Sequence, residues 1–426
     1  MPYRGDHDIG YNRNETAYRL CAVLTPLVCY NSTTTAESMK SLNFVHCLAS
    51  NKRKMSLLTS CVHQYTRSLS VMKSSNQIDW NRVVSDAERV VGYTTSYLSL
   101  RCLLSDEISN LAAHVRKLVG TGHPLLKTAK GLIYNSKSYM DTRGLVVLLI
   151  CKAAGHMSES TVNDPITDGI SYRQRALAEI TEMIHTAHQI HRGVVNVSSL
   201  IFPDKSTFQD MEFGNKIAVL CGDYLLASAS KTLASLRHPD VVELITKATR
   251  DFTQAEFIGN HDIHGNGASI AGMTVADWEE KNYLLSASLL AQSCQAALVL
   301  AKHDEKLQKN AFEFGKNVAL AWQIYSELLQ YTDTTKHPTG TPLDLTGLPV
   351  LMHIKDDSEL LNYITSYKNN LENVDFKLVR EVVLNGTGIK QTQELCHNYA
   401  QKSLASLNSF NNSDANLALR KMIDFL

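Results

Sequence analysis

This chain of 426 residues has few prolines, no net excess of positive charge and no closely spaced pair of cysteines. Proline occurs 9 times, and because proline breaks helices, its scarcity favours long ones. Lys+Arg and Asp+Glu both number 42, so there is no basic excess of the kind a general nucleic-acid binder shows. The 9 cysteines are widely spaced and form no CxxC pair. They are therefore expected to be buried free thiols, not a disulfide framework or a zinc ribbon.

Sequence motifs for several common chemistries are also missing. The chain has no G-x-G-x-x-G after a strand, no P-loop, no G-x-S-x-G elbow and no H-E-x-x-H. The segment from Asn282 to Ala301 carries no charge, but Ser, Asn and Gln residues interrupt it. We therefore expect it to be a buried helix of a bundle, and we expect no transmembrane segment.

Residues 1–78 differ from the rest of the chain. Between Glu37 and Asp79 there is no acidic residue, whereas Lys, Arg and Ser are frequent. This composition is typical of a mitochondrial transit peptide, so we interpret 1–78 as a targeting or disordered segment and expect the mitochondrial matrix as the location. A disordered cytosolic tail is the alternative. Met1, Met39 and Met55 all remain candidate starts.

From residue 79 to residue 426 the apolar residues follow a helical period. One predicted helix, over 175–190, places four on one stripe: Leu177, Ile180, Ile184 and Ala187. A second, over 213–224, places five on one face: Phe213, Ile217, Leu220, Cys221 and Tyr224. The short apolar run 145–150 fits a buried strand or a buried helix. The pattern predicts a single all-α domain over 79–426.

Three histidines lie on the first of these predicted helices. His185, His188 and His191 are spaced i, i+3, i+6, which spreads them over about a third of the helix circumference. Metal ligation by the three imidazoles is one interpretation. The alternatives are polar side chains that line a cavity and ordinary hydrogen-bonded histidines. We favour these because no cysteine joins the three residues locally and Glu182 is the only carboxylate nearby.

Several segments, in this order, resemble the trans-isoprenyl diphosphate synthase family. They are RGLVVLLICKAAG from Arg143, LAEITEMIHTAHQIHRGVVN from Leu177, GNKIAVLCGDYLLA from Gly214, KNYLLSASLLAQSC from Lys281 and FGKNVALAWQI from Phe314. The resemblance runs from about residue 79 to the C-terminus. It implies the isoprenoid synthase fold, a single large helical bundle around a central cavity.

The resemblance also implies a metal-dependent reaction that this sequence does not support. Members of the family hold magnesium ions on two Asp-rich motifs, and the ions bind the allylic diphosphate. Here the first motif reads Arg192, Gly193 and Asn196, and the second reads Ser326, Glu327 and Gln330. One acid, Glu327, survives of the six that the resemblance implies. We expect no catalytic residue and no metal or cofactor bound by this chain.

Four polar residues match positions that contact diphosphate in the family. By resemblance alone, the remnants of diphosphate binding are Arg143, Lys216, Lys316 and Gln323. The lysine that should precede Arg143 is missing, Gly144 stands in place of a proline, and the family's Lys-Thr pair falls on Leu285 and Ser286. Surface ion pairs or helix caps are an equally good interpretation of these four residues.

A frame that is retained while its acids are lost resembles the second, motif-less subunit of heteromeric solanesyl or decaprenyl diphosphate synthases. This implies a non-catalytic subunit that works with a motif-bearing catalytic partner, which holds the magnesium, to make the ubiquinone side chain. Two alternatives remain: a protein that binds prenyl diphosphates without turnover, and a residual enzyme that uses Glu327, Asp223 and the histidines. We expect no nucleic-acid partner, and peripheral contact with the inner membrane is left open.

Overall fold

The structure is a computed structural model, and it describes most of the chain from Trp80 onward. The described residues are 80–93, 123–125, 142–155, 164–197, 204–258, 270–333, 337–338, 340–367 and 373–426. The predicted targeting segment 1–78 lies outside them. The described residues belong to two compact units, one drawn from 104–126 and 195–217 and the other from 78–103, 127–194 and 218–426. A single domain over 79–426 stays a prediction, because much of 94–141 lies outside the described residues.

The described part of the chain is built from helices, as predicted. Helices α1 to α5 are Trp80–Val91, Arg143–Ala154, Tyr172–His191, Lys205–Ser235 and Pro239–Ile258. Helices α6 to α9 are Val275–Asn282, Ser288–Leu300, Glu305–Thr332 and Leu348–Ile354. Helices α10 to α13 are Ser358–Ser366, Phe376–Asn385, Gly388–Ser406 and Asp414–Ile423. A hairpin of β1 (Ile166–Thr167) and β2 (Ile170–Ser171) precedes α3. The all-α expectation is confirmed.

Helix α7 forms the core of the larger unit. It continues α6 through a π-helical turn at Tyr283–Ala287, and α2, α3, α5 and α8 pack around it. Most side chains of α7 are fully buried. The uncharged segment from Asn282 to Ala301 is therefore the buried helix that its sequence predicts.

Two described helices, Lys205–Ser235 and Val275–Leu300, are long and apolar enough to cross a membrane by length and composition. The most apolar window of Val275–Leu300 is 78% buried, and that of Lys205–Ser235 is 39% buried. The burial of Val275–Leu300 agrees with the position of α7 in the core. Length and composition alone are weak evidence for a span.

A polar seam joins α3 to this core. The amide of Gln174 donates to the carbonyl of Ala297 at 3.0 Å, and the Thr181 hydroxyl donates to Ser293 Oγ at 2.8 Å. Because residues early in α3 meet residues late in α7, the two helices run antiparallel. Each such bond contributes about 1 kcal/mol net, but leaving either partner unpaired inside the protein costs more. The seam thus fixes the register of α3.

Helix α3 begins at a capping box. Ser171 Oγ accepts from the Gln174 backbone N–H, and the Gln174 side chain accepts from the Ser171 backbone N–H. This arrangement satisfies two of the unpaired amides at the helix start. The predicted stripe is buried, with relative exposures of 0% to 4%: Leu177, Ile180, Ile184 and Ala187. That prediction is confirmed.

The ambiguous run 145–150 is helical. It lies within α2, and its side chains are 0% to 1% exposed. The predicted face over 213–224 is confirmed only in part. Ile217 and Cys221 are buried, but Leu220 is 54% exposed. The four described cysteines are free and buried, as expected: Cys151, Cys221, Cys294 and Cys396.

An aromatic cluster joins the first and last described elements of the larger unit. The Trp80 ring lies 5.0 Å from the Phe425 ring and 6.5 Å from the Trp322 ring, centroid to centroid. Phe425 also meets Tyr325 edge-on at 5.6 Å. Aromatic pairs of this kind add about 1 kcal/mol beyond the burial of apolar area. They tie α1 and the residues after α13 to α8.

Candidate functional site

The first degenerate motif lies at the C-terminal end of α3. Arg192 caps this helix, and its Nε lies 3.5 Å from Glu256 Oε1 on α5. Both side chains are about half exposed. Gly193, in the turn that follows the helix, is buried, and Asn196 is exposed. A cation with its own counter-ion thus occupies the position where the resemblance implies a carboxylate.

The three histidines of α3 reach three separate partners. His185 Nε2 lies 3.0 Å from Arg143 Nη1, whereas the His188 ring stacks on Phe252 with 4.4 Å between centroids. His191 Nε2 lies 3.4 Å from Asp223 Oδ1. In the described ranges, no group of three or more His, Cys, Asp or Glu side chains could hold a metal ion. The structure therefore gives no support to a three-histidine metal site.

Burial and neighbouring cations keep two of these rings neutral. Desolvation lowers the pKa of His185 well below its usual 6.5, and the charge of Arg143 lowers it further. Desolvation also lowers the pKa of His188 to about 4, with added repulsion from Arg192 and Arg143. Because arginine can only donate, His185 Nε2 must accept, so the proton of that ring lies on Nδ1.

The His191 ring lies directly over a glycine of α4. A Cβ added at Gly222 would lie 2.1 Å from His191 Nε2. The same nitrogen lies 3.3 Å from the Val219 carbonyl oxygen. Glycine is therefore what allows the end of α3 to approach α4 so closely. Asp223, a ligand candidate in the residual-enzyme alternative, is the ion-pair partner of His191.

Arg143, the first predicted remnant of diphosphate binding, is 2% exposed. Its Nη1 donates to His185, and its Nη2 donates to Ser286 Oγ at 3.2 Å. Ser286 lies in the π-helical turn, at the position matching the threonine of the family's Lys-Thr pair. The guanidinium is thus directed into the protein. A diphosphate could reach it only if the surrounding helices opened.

Gly144, which stands in place of the family's proline, also has a contact of its own. Its backbone N–H donates to Glu182 Oε1 at 2.6 Å. A proline has no N–H to donate. The glycine therefore lets Glu182 cap the start of α2. An added Cβ would lie 3.0 Å from Glu182 Cγ, so the approach is also tight.

The second degenerate motif lies near the C-terminal end of α8. Ser326 and Gln330 are half-buried, while Glu327 is 5% exposed. The backbone oxygen of Gln330 accepts a hydrogen bond from Arg380 of α11. The surviving acid faces inward, and the backbone of its motif neighbour Gln330 is bound by another helix.

Glu327 accepts three hydrogen bonds. Its Oε1 accepts from Trp278 Nε1 at 3.1 Å and from Gln323 Nε2 at 2.9 Å. Its Oε2 accepts from the Leu348 backbone N–H at 2.7 Å. Burial raises the pKa of this carboxyl to about 7, against the lowering effect of the donors. Gln323, a second predicted remnant, is therefore a partner of the surviving acid.

The two lysines predicted as remnants lie in different surroundings. Lys316 Nζ lies 5.7 Å from the centre of the Tyr283 ring, a cation–π distance. Lys216 is exposed on α4. In the larger unit, Arg143, Lys316 and Gln323 each have a separate partner. The structure does not show these three converging on one ligand, and their role as diphosphate contacts stays a prediction.

Sequence reasoning missed several residues that organise this region. Asp251 is buried and accepts from Ser288 Oγ at 2.5 Å. Trp278 and Arg380, also buried, anchor Glu327 and the end of α8. No local pattern marks these contacts, because each partner lies on another helix. One signal existed for Glu327: Gln323 lies four residues earlier, a spacing that places both on one helix face.

A cavity of about 250 Å³ lies between α3, α4 and α5. Its apolar lining comes from five aliphatic side chains: Ile184, Leu226, Ala229, Leu233 and Ile245. Three threonines and a serine complete the walls; two of the threonine hydroxyls and the serine hydroxyl bond their own helix backbone. Arg250 also lines the cavity, and its side chain is 68% exposed. The space suits an aliphatic chain.

A known protein family matches more than half of this chain. The family model described as Polyprenyl synthetase matches residues 131–375. The chain therefore belongs to the polyprenyl synthetase family. Among solved structures, it is similar to a polyprenyl synthase from Caulobacter crescentus complexed with calcium and isoprenyl diphosphate. That likeness has a TM-score of 0.58 at 23% identity, covers 82% of this chain and 98% of the other, and bears on the fold alone.

Sequence relatives narrow the class. The chain is 41% identical over 357 residues to the Mus musculus protein named All trans-polyprenyl-diphosphate synthase PDSS2, covering 82% of this chain and 88% of that one. The Homo sapiens protein of the same name is 42% identical over 362 residues, with the same coverage. A Neurospora crassa protein named Probable hexaprenyl pyrophosphate synthase, mitochondrial, is 34% identical over 361 residues, covering 75% and 79%.

Proposed function

We propose that this chain is the non-catalytic subunit of a heteromeric trans-polyprenyl diphosphate synthase. With a motif-bearing catalytic subunit, it serves the condensation of isopentenyl diphosphate onto an allylic diphosphate, which yields the side chain of ubiquinone. The observation that carries the proposal is the state of the two acidic motifs. No position of either motif directs a carboxylate toward a shared site in the described residues.

The magnesium that the resemblance implies for the family does not fit these positions. Arg192 brings a positive charge that pairs with Glu256 at 3.5 Å, and a nearby cation repels a divalent metal. Glu327 already accepts three hydrogen bonds through both oxygens. Magnesium prefers carboxylate and water oxygens in near-octahedral geometry, which these residues cannot supply. The proposed role therefore includes no metal-dependent step on this chain; magnesium belongs to the catalytic partner.

Names of relatives support the assembly and its location. The two mammalian relatives are named as polyprenyl diphosphate synthases, although this chain lacks the acids that the reaction needs. The Neurospora crassa and Yarrowia lipolytica relatives are named mitochondrial. Together with the composition of residues 1–78, this supports the mitochondrial matrix as the site of the complex.

Co-expression with the motif-bearing polyprenyl synthase of the same organism tests the proposal. Each chain alone and the co-purified pair are assayed for incorporation of radiolabelled isopentenyl diphosphate at saturating magnesium. We expect activity from the pair and none from this chain. A control pair, in which the partner's acidic motifs are changed to alanine, should be inactive. Turnover by this chain alone, or full activity of a partner that does not bind it, contradicts the proposal.

The cavity between α3, α4 and α5 favours a second candidate, a protein that binds prenyl diphosphates without converting them. Its volume of about 250 Å³ and aliphatic lining suit part of a prenyl chain, and Arg250 offers a guanidinium to the diphosphate. Binding of a fluorescent farnesyl diphosphate analogue to the isolated chain tests this. Ala229→Phe should fill the cavity and abolish that binding, whereas Ala234→Phe on the exposed side of α4 should not.

A further inference from the structure

Glu327 differs in one respect from the aspartate that the resemblance implies: its side chain is longer by one methylene group. That length lets the carboxylate reach the start of α9, 21 residues further along the chain, where it accepts from the Leu348 N–H at 2.7 Å. It also meets Trp278 of α6, 49 residues earlier, at 3.1 Å. The surviving acid thus links three helices: α6, α8 and α9.

Helix α9 depends on this carboxylate for its first turn. Its N-cap residue is Gly347, which has no side chain to accept a backbone N–H. The next residue but one, Pro349, has no N–H. The amide of Leu348 is therefore the first that needs a partner, and Glu327 Oε2 supplies it. A carboxylate at a helix start is also favoured by the positive end of the helix dipole.

A side chain at position 347 would fit only tightly against its neighbours. An added Cβ would lie 3.0 Å from the Asp344 carbonyl oxygen and 3.5 Å from Glu327 Oε2. Asp344 Oδ1 in turn accepts from the Thr346 N–H at 2.9 Å and from its hydroxyl at 2.7 Å. The residues before α9 are therefore folded tightly against the carboxylate.

A second anchor holds the other end of the connection between α8 and α9. Arg380, 1% exposed on α11, donates to the Gln330 carbonyl and to Thr341 Oγ1, the latter at 3.3 Å. Its guanidinium also lies 5.8 Å from the centre of the Tyr331 ring. The end of α8 and the described residues 340–347 are thus fixed at both ends.

We propose that Glu327 is a positioning residue, which holds the start of α9 and, with Arg380, the connection that precedes it, in place of binding a metal. We call this arrangement, in which Glu327 and Arg380 hold the start of α9 and the connection before it, the joint. The proposal does not depend on the proposed function, because it concerns contacts within this chain alone.

Hydrogen–deuterium exchange on the full chain tests the joint. Glu327→Gln keeps the size of the side chain but replaces one acceptor oxygen with an NH₂ donor. Glu327→Asp restores the residue that the resemblance implies but shortens the side chain. Both should speed exchange across 347–351 at least about tenfold. The shorter aspartate no longer reaches the Leu348 amide, and the single oxygen of glutamine cannot accept from Leu348 and from the Trp278 and Gln323 donors at the same time. Ser326→Ala, one residue away, should leave that exchange within about twofold of the wild type. Unchanged protection in both Glu327 variants overturns the proposal.

A metal titration separates the joint from a surviving ligand. Mn²⁺ alone is titrated into the wild type and Glu327→Asp, and binding is followed by electron paramagnetic resonance. Neither protein should bind Mn²⁺ at position 327. Binding to the wild type that Glu327→Gln abolishes, or binding gained in Glu327→Asp, overturns the proposal.

Should Glu327→Gln fail to fold, Trp278→Phe removes one donor and leaves the carboxylate intact. It should speed exchange of the same amides about threefold, and no change in their exchange overturns the proposal.

Discussion

Nη1 of Arg143 donates a hydrogen bond to Nε2 of His185 at 3.0 Å, which joins the start of α2 to the middle of α3 inside the protein. Because the arginine is buried, this pair belongs to the core and not to a solvent-facing ligand site. The contribution of this contact can therefore be measured as a change in the free energy of unfolding.

Replacing Arg143 with methionine should lower the free energy of unfolding by about 2–4 kcal/mol, because His185 Nε2 and Ser286 Oγ lose their donor inside the protein. Urea titration measures the loss. Arg89→Met is the matched control, since that side chain is 78% exposed; it should cost less than about 0.5 kcal/mol. Equal losses in the two variants would show that the buried contacts of Arg143 contribute nothing.

Gly222→Ala should destabilise the protein by about 2–3 kcal/mol, because the new methyl group must displace the His191 ring. A double-mutant cycle isolates the cause. In a His191→Ala background the ring is gone, so Gly222→Ala should cost less than about 1 kcal/mol. An unchanged cost in that background would place the strain elsewhere on α4.

His188→Phe should make the protein less sensitive to acid. The folded-state pKa of His188 is lowered to about 4 from its usual 6.5, so between these values the unfolded chain binds a proton that the folded chain refuses. The wild type therefore loses stability as pH falls through this window, by up to about 3 kcal/mol from this residue. Phenylalanine keeps the stacking on Phe252 and has no proton to bind.

Unfolding free energies of the wild type and His188→Phe, measured near neutral pH and near pH ~4.5, check this prediction. The variant should gain on the wild type by about 2–3 kcal/mol at the lower pH. A constant difference between the two proteins at both pH values would show that His188 does not titrate in this window.

Phe425→Ala should cost about 2–4 kcal/mol, because the ring packs on Trp80 and Tyr325. Phe257→Ala makes the same chemical change at a side chain that is 85% exposed, and it should cost less than about 0.5 kcal/mol. Thermal unfolding of both variants measures the difference. If Phe425→Ala behaves like Phe257→Ala, the aromatic cluster does not contribute to stability.

Periodicity predicted the apolar stripe on α3, because those residues repeat at the helical period. It did not predict that the polar residues between Ile180 and Ala187 are buried as well, since their partners lie on other helices. The run 145–150 stayed ambiguous for a different reason. Helix α2 is buried on all sides, so its sequence contains no polar face from which a period could be read. The exposure of Leu220 was missed because the pattern places it beside the buried face of α4, not outside it.

The loss of the acidic motifs could be read from the sequence, but the new use of their residues could not. Arg192 and Glu327 were identified by position, yet their partners Glu256 and Leu348 lie on other helices. Such pairings depend on how the helices pack, and no spacing along the chain encodes them. The π-helical turn at Tyr283–Ala287 was missed for a similar reason, since one inserted residue barely disturbs the apolar pattern.

The burial of the uncharged segment from Asn282 to Ala301 also sets a condition on how the chain reaches its folded state. Before α2, α3 and α8 cover it, this uncharged apolar segment is exposed to water, to other chains and to any bilayer nearby. Helix α8 follows this segment in sequence. Because synthesis starts at the N-terminus, the segment lacks the cover of α8 until that helix has been made. Interrupted synthesis or proteolysis within α8 would thus release a fragment whose most apolar segment is uncovered, which is the kind of species that aggregates.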